Sequence, residues 1–453
     1  MENLTQSFIR KVRLLAEDNV NNKEVCHQLK RCVLDWYGVT VAGASLVKER
    51  MQPFVSICGD GSCSSFATDR KLDLCSAASL NAFMAHAMEL DDGHRFGMLH
   101  LEAPIISAMV ALAEYESLNC IQFFKGIIAG YQTTIQLARC IQPNHKKSGY
   151  HATGTCGAIG VAVAIATALN YSDKEFENAI SAATTRAAGL LSVIDAPSEM
   201  KPYNVFGAAE VGIRAAYLAK SGFVGPVDPL AGKRGFLRVY APEVEDTKIL
   251  EFAEKPEILN IYFKPYVSCR HCHAPAEGAL NLASKYQLDW HEIATIRVET
   301  YLLAIGGHDS IDIDSVSAAK MSIPYCVAIS ILRGSCGLDS FTEDNVSSES
   351  LKALVKKVKV VEDENLTRVS PGKRGARVII TLCDGRVIEE FVDNPLGEPE
   401  HPISDEALEQ KYAELMSSAN VAQPIISEIK DCIWNLESNY NSFMKIVSLW
   451  HRK

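Results

Sequence analysis

The sequence predicts a mainly α fold: a large all-helical domain into which a smaller α+β lid domain is inserted. Three observations carry this. Through about the first 260 residues, apolar side chains recur at helical spacing with few β-branched alternations. From about residue 263 the texture turns to alternating strand patterns mixed with helix. After the linker Asn394-Pro395-Leu-Gly397-Glu-Pro399-Glu-His-Pro402, amphipathic helix returns over 404–453. The expected organisation is a helical domain over 1–262, the lid over 263–397, and helices in 398–453 that complete the first domain. A chain of 453 residues also exceeds one compact core.

Taken in order, helices are expected over 23–44, 104–118, 121–141, 156–170, 173–191 and 206–221. Caps are expected at Asn22, at Ser172 ahead of Asp173 and Glu175, and at Asn204. The run Gly157-Ala-Ile-Gly160-Val-Ala-Val-Ala-Ile-Ala has almost no bulk on any face, as suits the central helix of a bundle. Strands are expected over 293–301, 355–361, 377–382 and 386–391. The last two flank Cys383-Asp384-Gly385, a hairpin signal because Asp-Gly supplies positive φ readily. Helical stretches near 274–287, 317–333 and 348–355 lie among them.

The net charge of −10 argues against a nucleic-acid partner, which requires excess Lys and Arg, and against an anionic membrane surface. An acidic metabolite remains compatible with a locally basic pocket. The most apolar run, Ala158 to Leu169, is shorter than the ~20 residues a spanning helix needs, and no secretory signal pattern opens the chain. Fourteen scattered cysteines suggest reduced thiols and a cytoplasmic setting.

Familiar cofactor motifs fail. Gly154, Gly157 and Gly160 follow no strand, so they do not make a dinucleotide turn. Gly232-Lys233 is followed by Arg234 where a phosphate loop needs Ser or Thr. Cys269-Arg-His271-Cys272-His273 clusters metal-type ligands, but one such cluster without a second pair downstream rarely holds structural zinc. No metal and no organic cofactor are expected, and the chemistry falls to side chains.

Five segments carry that chemistry. The stretch from His86 through Glu89, Asp91, Asp92, His94 and Arg95 to His100 sets three carboxylates beside three histidines, an acid–base pairing. A solvated, Asp-capped helix end explains one or two of the acids but not His94, Arg95 and His100. Gly149-Tyr-His151-Ala-Thr153-Gly154-Thr155 opens the small-residue helix, whose N-terminus suits a carboxylate. Plain N-capping explains Thr153 or Thr155 as well. Lys201, set by Pro202 at a helix start, is either a solvated lysine or an anion clamp. Arg270, His271 and His273 open the lid, and Ser322-Ile-Pro324-Tyr325 lies within it. Core packing with a satisfied hydroxyl is the ordinary reading of Tyr325.

Together these segments resemble the MmgE/PrpD family from Arg31-Cys-Val-Leu-Asp35 to Glu398-Pro-Glu-His-Pro402. The most specific parts are the acidic pair before His100, the Gly149–Thr155 block, Met200-Lys201-Pro202, Cys269–His273 and Ser322–Tyr325. The family includes 2-methylcitrate dehydratase, cis-aconitate decarboxylase and iminodisuccinate epimerase. The resemblance implies a homodimer, no cofactor, and an active site in the cleft between the domains. It implies that His100, His151 and Lys201 act from the helical part, with Glu89, Asp91 and Asp92, and that His273 and Tyr325 act from the lid. The residues agree on roles. Lys201, Arg270 and the helix end near Thr153 and Thr155 would hold carboxylates. A histidine would move a proton at the neighbouring carbon, with Asp91 or Asp92 tuning the nearest imidazole. His94 and Arg95 are expected at the substrate. Gly93-His94-Arg95 replaces the family's usual Thr, and Glu102 is expected to bring a negative charge near the pocket that Arg95 would offset. The leading expectation is a lyase of dehydratase or decarboxylase type acting on a small anionic carboxylate. The alternatives are an epimerase and a non-catalytic carboxylate binder.

Overall fold

The computed structural model describes residues 2–194 and 198–447. It is mainly α, as the sequence predicts, and divides into two compact units. The first gathers the chain up to Leu191, Met200–Ile261 and the residues from Ser404. The second gathers Ser192–Glu199 and Tyr262–Ile403. Among the described residues, no helix is long and apolar enough to cross a membrane.

In the first unit the small-residue helix Ala152–Ala168 packs between Cys120–Ile141 and Lys201–Lys220. Glycine permits the close approach. A Cβ on Gly160 would lie 1.8 Å from Thr134 Oγ1, and one on Gly212 would lie 2.5 Å from Val161 Cβ. Asn22 accepts from the N–H groups of Glu24 and Val25 to start helix Lys23–Val55, and Ser172 forms a full capping box with Glu175. The C-terminal helix Asp405–Ser418 packs on Lys23–Val55, and Lys411 Nζ reaches 2.6 Å from the buried Asp35 carboxylate.

Four details differ from the expected pattern. A bulged hairpin, Asp60–Ser65 with Thr68–Leu72, lies where no strand was expected, because its residues are short and polar without alternation. Lys23–Val55 runs well past residue 44, carrying Pro53 in its final turn. Lys201 rather than Val205 or Phe206 begins its helix, so Asn204 lies within the first turns and caps nothing. The stretch 317–333 is two helices, Val316–Met321 and Ile323–Arg333. They break at Ser322, whose hydroxyl caps the second through Tyr325 N–H.

In the second unit four strands pair in the order Val358–Glu362, Ile293–Thr300, Ala376–Leu382, Val387–Val392. The first pair is parallel, with Val298 opposite Val360, and the others are antiparallel. The hairpin closes through Leu382 N–H to Arg386 O at 2.8 Å, with Gly385 at φ 88°. Helix His273–Tyr286 lies on this sheet, Gly278 meeting Val378 where a side chain would collide at 2.9 Å. The linker is tied back to the start of the unit: Phe263 N–H donates to Gly397 O at 3.2 Å.

Candidate active site

Helix Leu74–Ala87, capped by the Asp73 carboxylate, is buried along most of its length and carries in its last turn His86, whose side chain is wholly buried. Just beyond it Glu89 takes a left-handed turn, φ 56°, a conformation rare for a side chain of this size. The turn returns its carboxylate to His86, with Oε1 3.2 Å from Nε2. Asp91 meets the other side of the ring, its two oxygens 2.9 and 2.8 Å from Nδ1. Burial, the largest influence, lowers the pKa of His86. The charges of Asp91 and Glu89 outweigh burial, Lys201 opposes them, and the net shift is upward. His86 is thus a buried imidazole between two carboxylates that favour its protonated form. Lys201 Nζ completes the group, 2.5 and 2.7 Å from the Glu89 oxygens.

His100 stacks edge-on to His86 with ring centroids 4.5 Å apart. Its Nδ1 lies 2.7 Å from the Asp92 carbonyl and 3.3 Å from Asp91 Oδ2. A carbonyl only accepts, so Nδ1 carries the hydrogen and Nε2 is the lone-pair nitrogen of the neutral ring, an assignment that rests on these neighbours. His151 has the opposite tautomer. Asn204 Nδ2 donates to the Leu190 carbonyl at 3.1 Å, which fixes the amide orientation, and donates its second hydrogen toward His151 Nδ1 at 3.2 Å. Nε2 of His151 therefore carries the hydrogen. Burial first, then the positive charge of Lys201 and those of His86 and His100 whenever these rings are protonated, hold its pKa well below the ordinary value, against the pull of Glu89. His151 is a neutral hydrogen-bond donor at neutral pH.

The threonines serve the frame. Helix Ala152–Ala168 is capped by His151 in backbone geometry only, so neither Thr153 nor Thr155 is its N-cap. Thr153 Oγ1 accepts from His100 N–H at 3.0 Å, and Thr155 Oγ1 lies 3.1 Å from His145 Nε2.

Asp92 faces elsewhere. Its Oδ1 accepts the N–H groups of Leu101 and Glu102 at 2.9 and 3.0 Å, anchoring the start of helix Glu102–Glu116, and Tyr131 donates to Oδ2 at 3.0 Å. Burial pushes its pKa up to about 7 against those hydrogen bonds. His94 closes its own turn: Nδ1 accepts Gly97 N–H at 3.0 Å, and Nε2 lies 3.5 Å from Glu257. Burial alone would raise the Glu257 pKa, but His94, Asn260 and Arg139 hold it near 2. Arg95 lies partly exposed, its guanidinium 5.1 Å from the Phe96 ring centroid. The expected negative charge at Glu102 is corrected. Its carboxyl is wholly buried, and burial, Asp35 and Asp92 push its pKa well above the ordinary carboxylate range, which disfavours a negative charge there.

The remaining expected residues belong to the second unit. Arg270, buried, donates from Nε to Glu398 at 3.1 Å, from Nη1 to His273 Nδ1 and the Leu396 carbonyl, and from Nη2 to Glu398 and the Pro395 carbonyl. These bonds engage the whole guanidinium, so here it fixes the linker and the His273 ring rather than presenting a fork. His273 in turn sets Nε2 3.2 Å from the Ser268 carbonyl. The Tyr325 hydroxyl donates to the Ser340 carbonyl at 2.8 Å, with the side chain in the core.

By sequence, His86 counts among the histidines of this stretch without a role of its own, and Asn204 counts as a helix cap. His86 stands three residues before Glu89 and five before Asp91, a spacing that offered a signal. Asn204 looked like a helix cap and offered none. Among the described residues, the donor atoms of His86, Glu89 and His100 lie close enough to hold a metal, all within 4.8 Å, although the Lys201 ammonium already occupies Glu89.

Residues 8–247 match the MmgE/PrpD N-terminal domain and residues 266–434 the MmgE/PrpD C-terminal domain. Cis-aconitate decarboxylase of Aspergillus terreus is 25% identical over 450 residues, covering 93% of this chain and 91% of its own length. Cis-aconitate decarboxylase of Homo sapiens is 23% identical over 451 residues, covering 95% and 92%. Mitochondrial 2-methylcitrate dehydratase of Yarrowia lipolytica is 28% identical over 242 residues, covering 51% and 46%. With both family domains matched along nearly its whole length, the chain belongs to the MmgE/PrpD family and is an enzyme of lyase type.

Proposed function

We propose that this enzyme is a cofactor-independent lyase acting on a small di- or tricarboxylate by proton transfer at the carbon next to a carboxylate. One observation carries the reading: His100 and His151 stand near the Lys201–Glu89 pair in opposite tautomers. In this scheme Lys201 is shared between Glu89 and a substrate carboxylate. His100 Nε2 takes the proton from the adjacent carbon, and negative charge builds on the carboxylate oxygens. His151 Nε2–H donates to that charge and, with its pKa depressed, does not simply become cationic. His86, whose protonated form Asp91 and Glu89 favour, can supply positive charge behind them.

Two outcomes follow from the same enolate-like species. In dehydration a hydroxyl on the next carbon leaves with one proton as water, and an alkene remains. In decarboxylation CO2 leaves first, and the carbanion takes its proton from His100 in the imidazolium form. The decarboxylases match nearly the whole chain and the dehydratase about half of it, which favours cis-aconitate as the first substrate to try. A homodimer and a cytoplasmic setting belong to the same proposal.

The test is proton NMR of the purified protein, without added metal or cofactor, with cis-aconitate, 2-methylcitrate, citrate and malate- or aspartate-type acids. Formation of a decarboxylated or dehydrated product from one of them is the expected result. Turnover of none contradicts the substrate class, and turnover only after adding an organic cofactor or metal contradicts cofactor independence.

A further inference from the structure

We propose that Cys269, His271 and His308, in the second unit, form a binding site for a thiophilic divalent cation, with zinc the best fit. This goes beyond the proposed reaction, which uses none of the three. Their donor atoms all lie within 4.8 Å of one another, and Cys269 Sγ is 3.9 Å from His308 Nε2. Tetrahedral zinc, with bonds of about 2.3 Å to sulfur and 2.0–2.1 Å to nitrogen, sets sulfur and nitrogen about 3.5 Å apart and two nitrogens about 3.3 Å apart. Small side-chain rotations close that difference.

The rings are already oriented as ligands. His308 Nδ1 lies 2.9 Å from the Met321 carbonyl and must donate to it, which makes Nε2, the nitrogen facing the thiol, the lone-pair atom. The Tyr301 hydroxyl, 2.6 Å from His271 Nδ1, sets the second ring, and the two imidazoles lie 4.9 Å apart at 31°. The backbone holds both segments to one place: Cys269 N–H donates to Lys320 O, and Ile323 N–H donates to His308 O, each at 2.8 Å. This preorganisation lowers the ordering cost of binding. Both histidines are buried while Cys269 is partly exposed, so an ion can reach the thiol from solvent.

One thiolate with two imidazoles suits zinc, and lacks the oxygen donors that calcium and magnesium require. The Cys269–His273 run looked too small for a zinc site because its third ligand lies 39 residues beyond Cys269. Bound here, the ion would fix the segment that leads into His273.

The test uses the full chain, stripped with chelator and titrated with Co2+ and then Zn2+. The expected result is one equivalent of cobalt with a thiolate-to-cobalt charge-transfer band and tetrahedral d–d bands, displaced by zinc. Cys269→Ser abolishes the charge-transfer band, and His308→Gln weakens binding at least about tenfold, in line with the loss of one ligand or its support. On the unaltered chain, Zn2+ should also slow alkylation of Cys269 measured by peptide mapping, so a poorly folding variant leaves the proposal testable. It is overturned if the unaltered chain gives no stoichiometric thiolate band or no protection of Cys269. It is also overturned if the cobalt spectrum is unchanged in Cys269→Ser, or is lost instead in His100→Ala, which would move the metal to His86, Glu89 and His100.

Discussion

Asn204→Asp isolates the tautomer on which the proposed chemistry depends. In the native protein Asn204 donates to His151 Nδ1 at 3.2 Å and to the Leu190 carbonyl at 3.1 Å, so His151 is neutral with its hydrogen on Nε2. A carboxylate at the same place can only accept. It draws the hydrogen to Nδ1, leaves Nε2 without the hydrogen meant for the developing negative charge, and adds an anion about 3 Å from a buried ring. An opposite charge that close raises a histidine pKa by about 1–3, or about 1.4–4 kcal/mol in favour of the imidazolium. That shift opposes the depression which burial and the charge of Lys201 impose. The expected outcome is a fall in kcat of about 10²–10⁴, the range for a misplaced proton donor, with a smaller change in KM. The fall should be accompanied by movement of the His151 hydrogen from Nε2 to Nδ1 in long-range proton–nitrogen spectra. Full activity in Asn204→Asp, or a native spectrum already showing hydrogen on His151 Nδ1, refutes the reasoning.

Two further perturbations test the frame. Burial holds the His145 pKa near 4, against the usual 6.5 of the unfolded chain, so its contribution is fully present above pH 6.5 and is lost as pH falls toward 4. That difference is worth at most about 3 kcal/mol, so denaturant titrations of His145→Gln should show a flatter decline in stability between those pH values than the native protein. Lys411→Met removes the ammonium 2.6 Å from buried Asp35 and should cost about 3 kcal/mol. The loss should be smaller at pH 5 than at pH 8, because protonation of Asp35 relieves the uncompensated charge. Adding Asp35→Asn should restore most of it, and a double variant no more stable than Lys411→Met contradicts the pairing.

The parts of this protein that were legible in the sequence are those set by local physics. Helical periodicity and the caps at Asn22 and Ser172 act over three or four residues, and the Asp384-Gly385 turn states its own geometry. The hairpin at Asp60–Leu72 was not legible, because its polar strands carry no alternation. The histidines and carboxylates of the site announced themselves by type, but their division of labour did not. Asp92 reads like its neighbour Asp91, and only the fold turns it toward the backbone of Leu101 and Glu102. His94 was drawn away by Glu257 and Arg270 by Glu398, partners more than a hundred residues distant in the chain. Asn204 looked like a cap because Asn favours caps, while its use is to set a ring fifty-three residues earlier.

The most direct test of proton transfer by His100 is solvent-exchange NMR in D2O, comparing the native protein with His100→Gln on the substrate that the panel identifies. The native protein should place deuterium at the carbon beside the carboxylate, in product or recovered substrate. His100→Gln should slow this by about 10²–10⁴ with KM little changed. Deuterium incorporation at the native rate in His100→Gln would contradict the account and move the base to another residue.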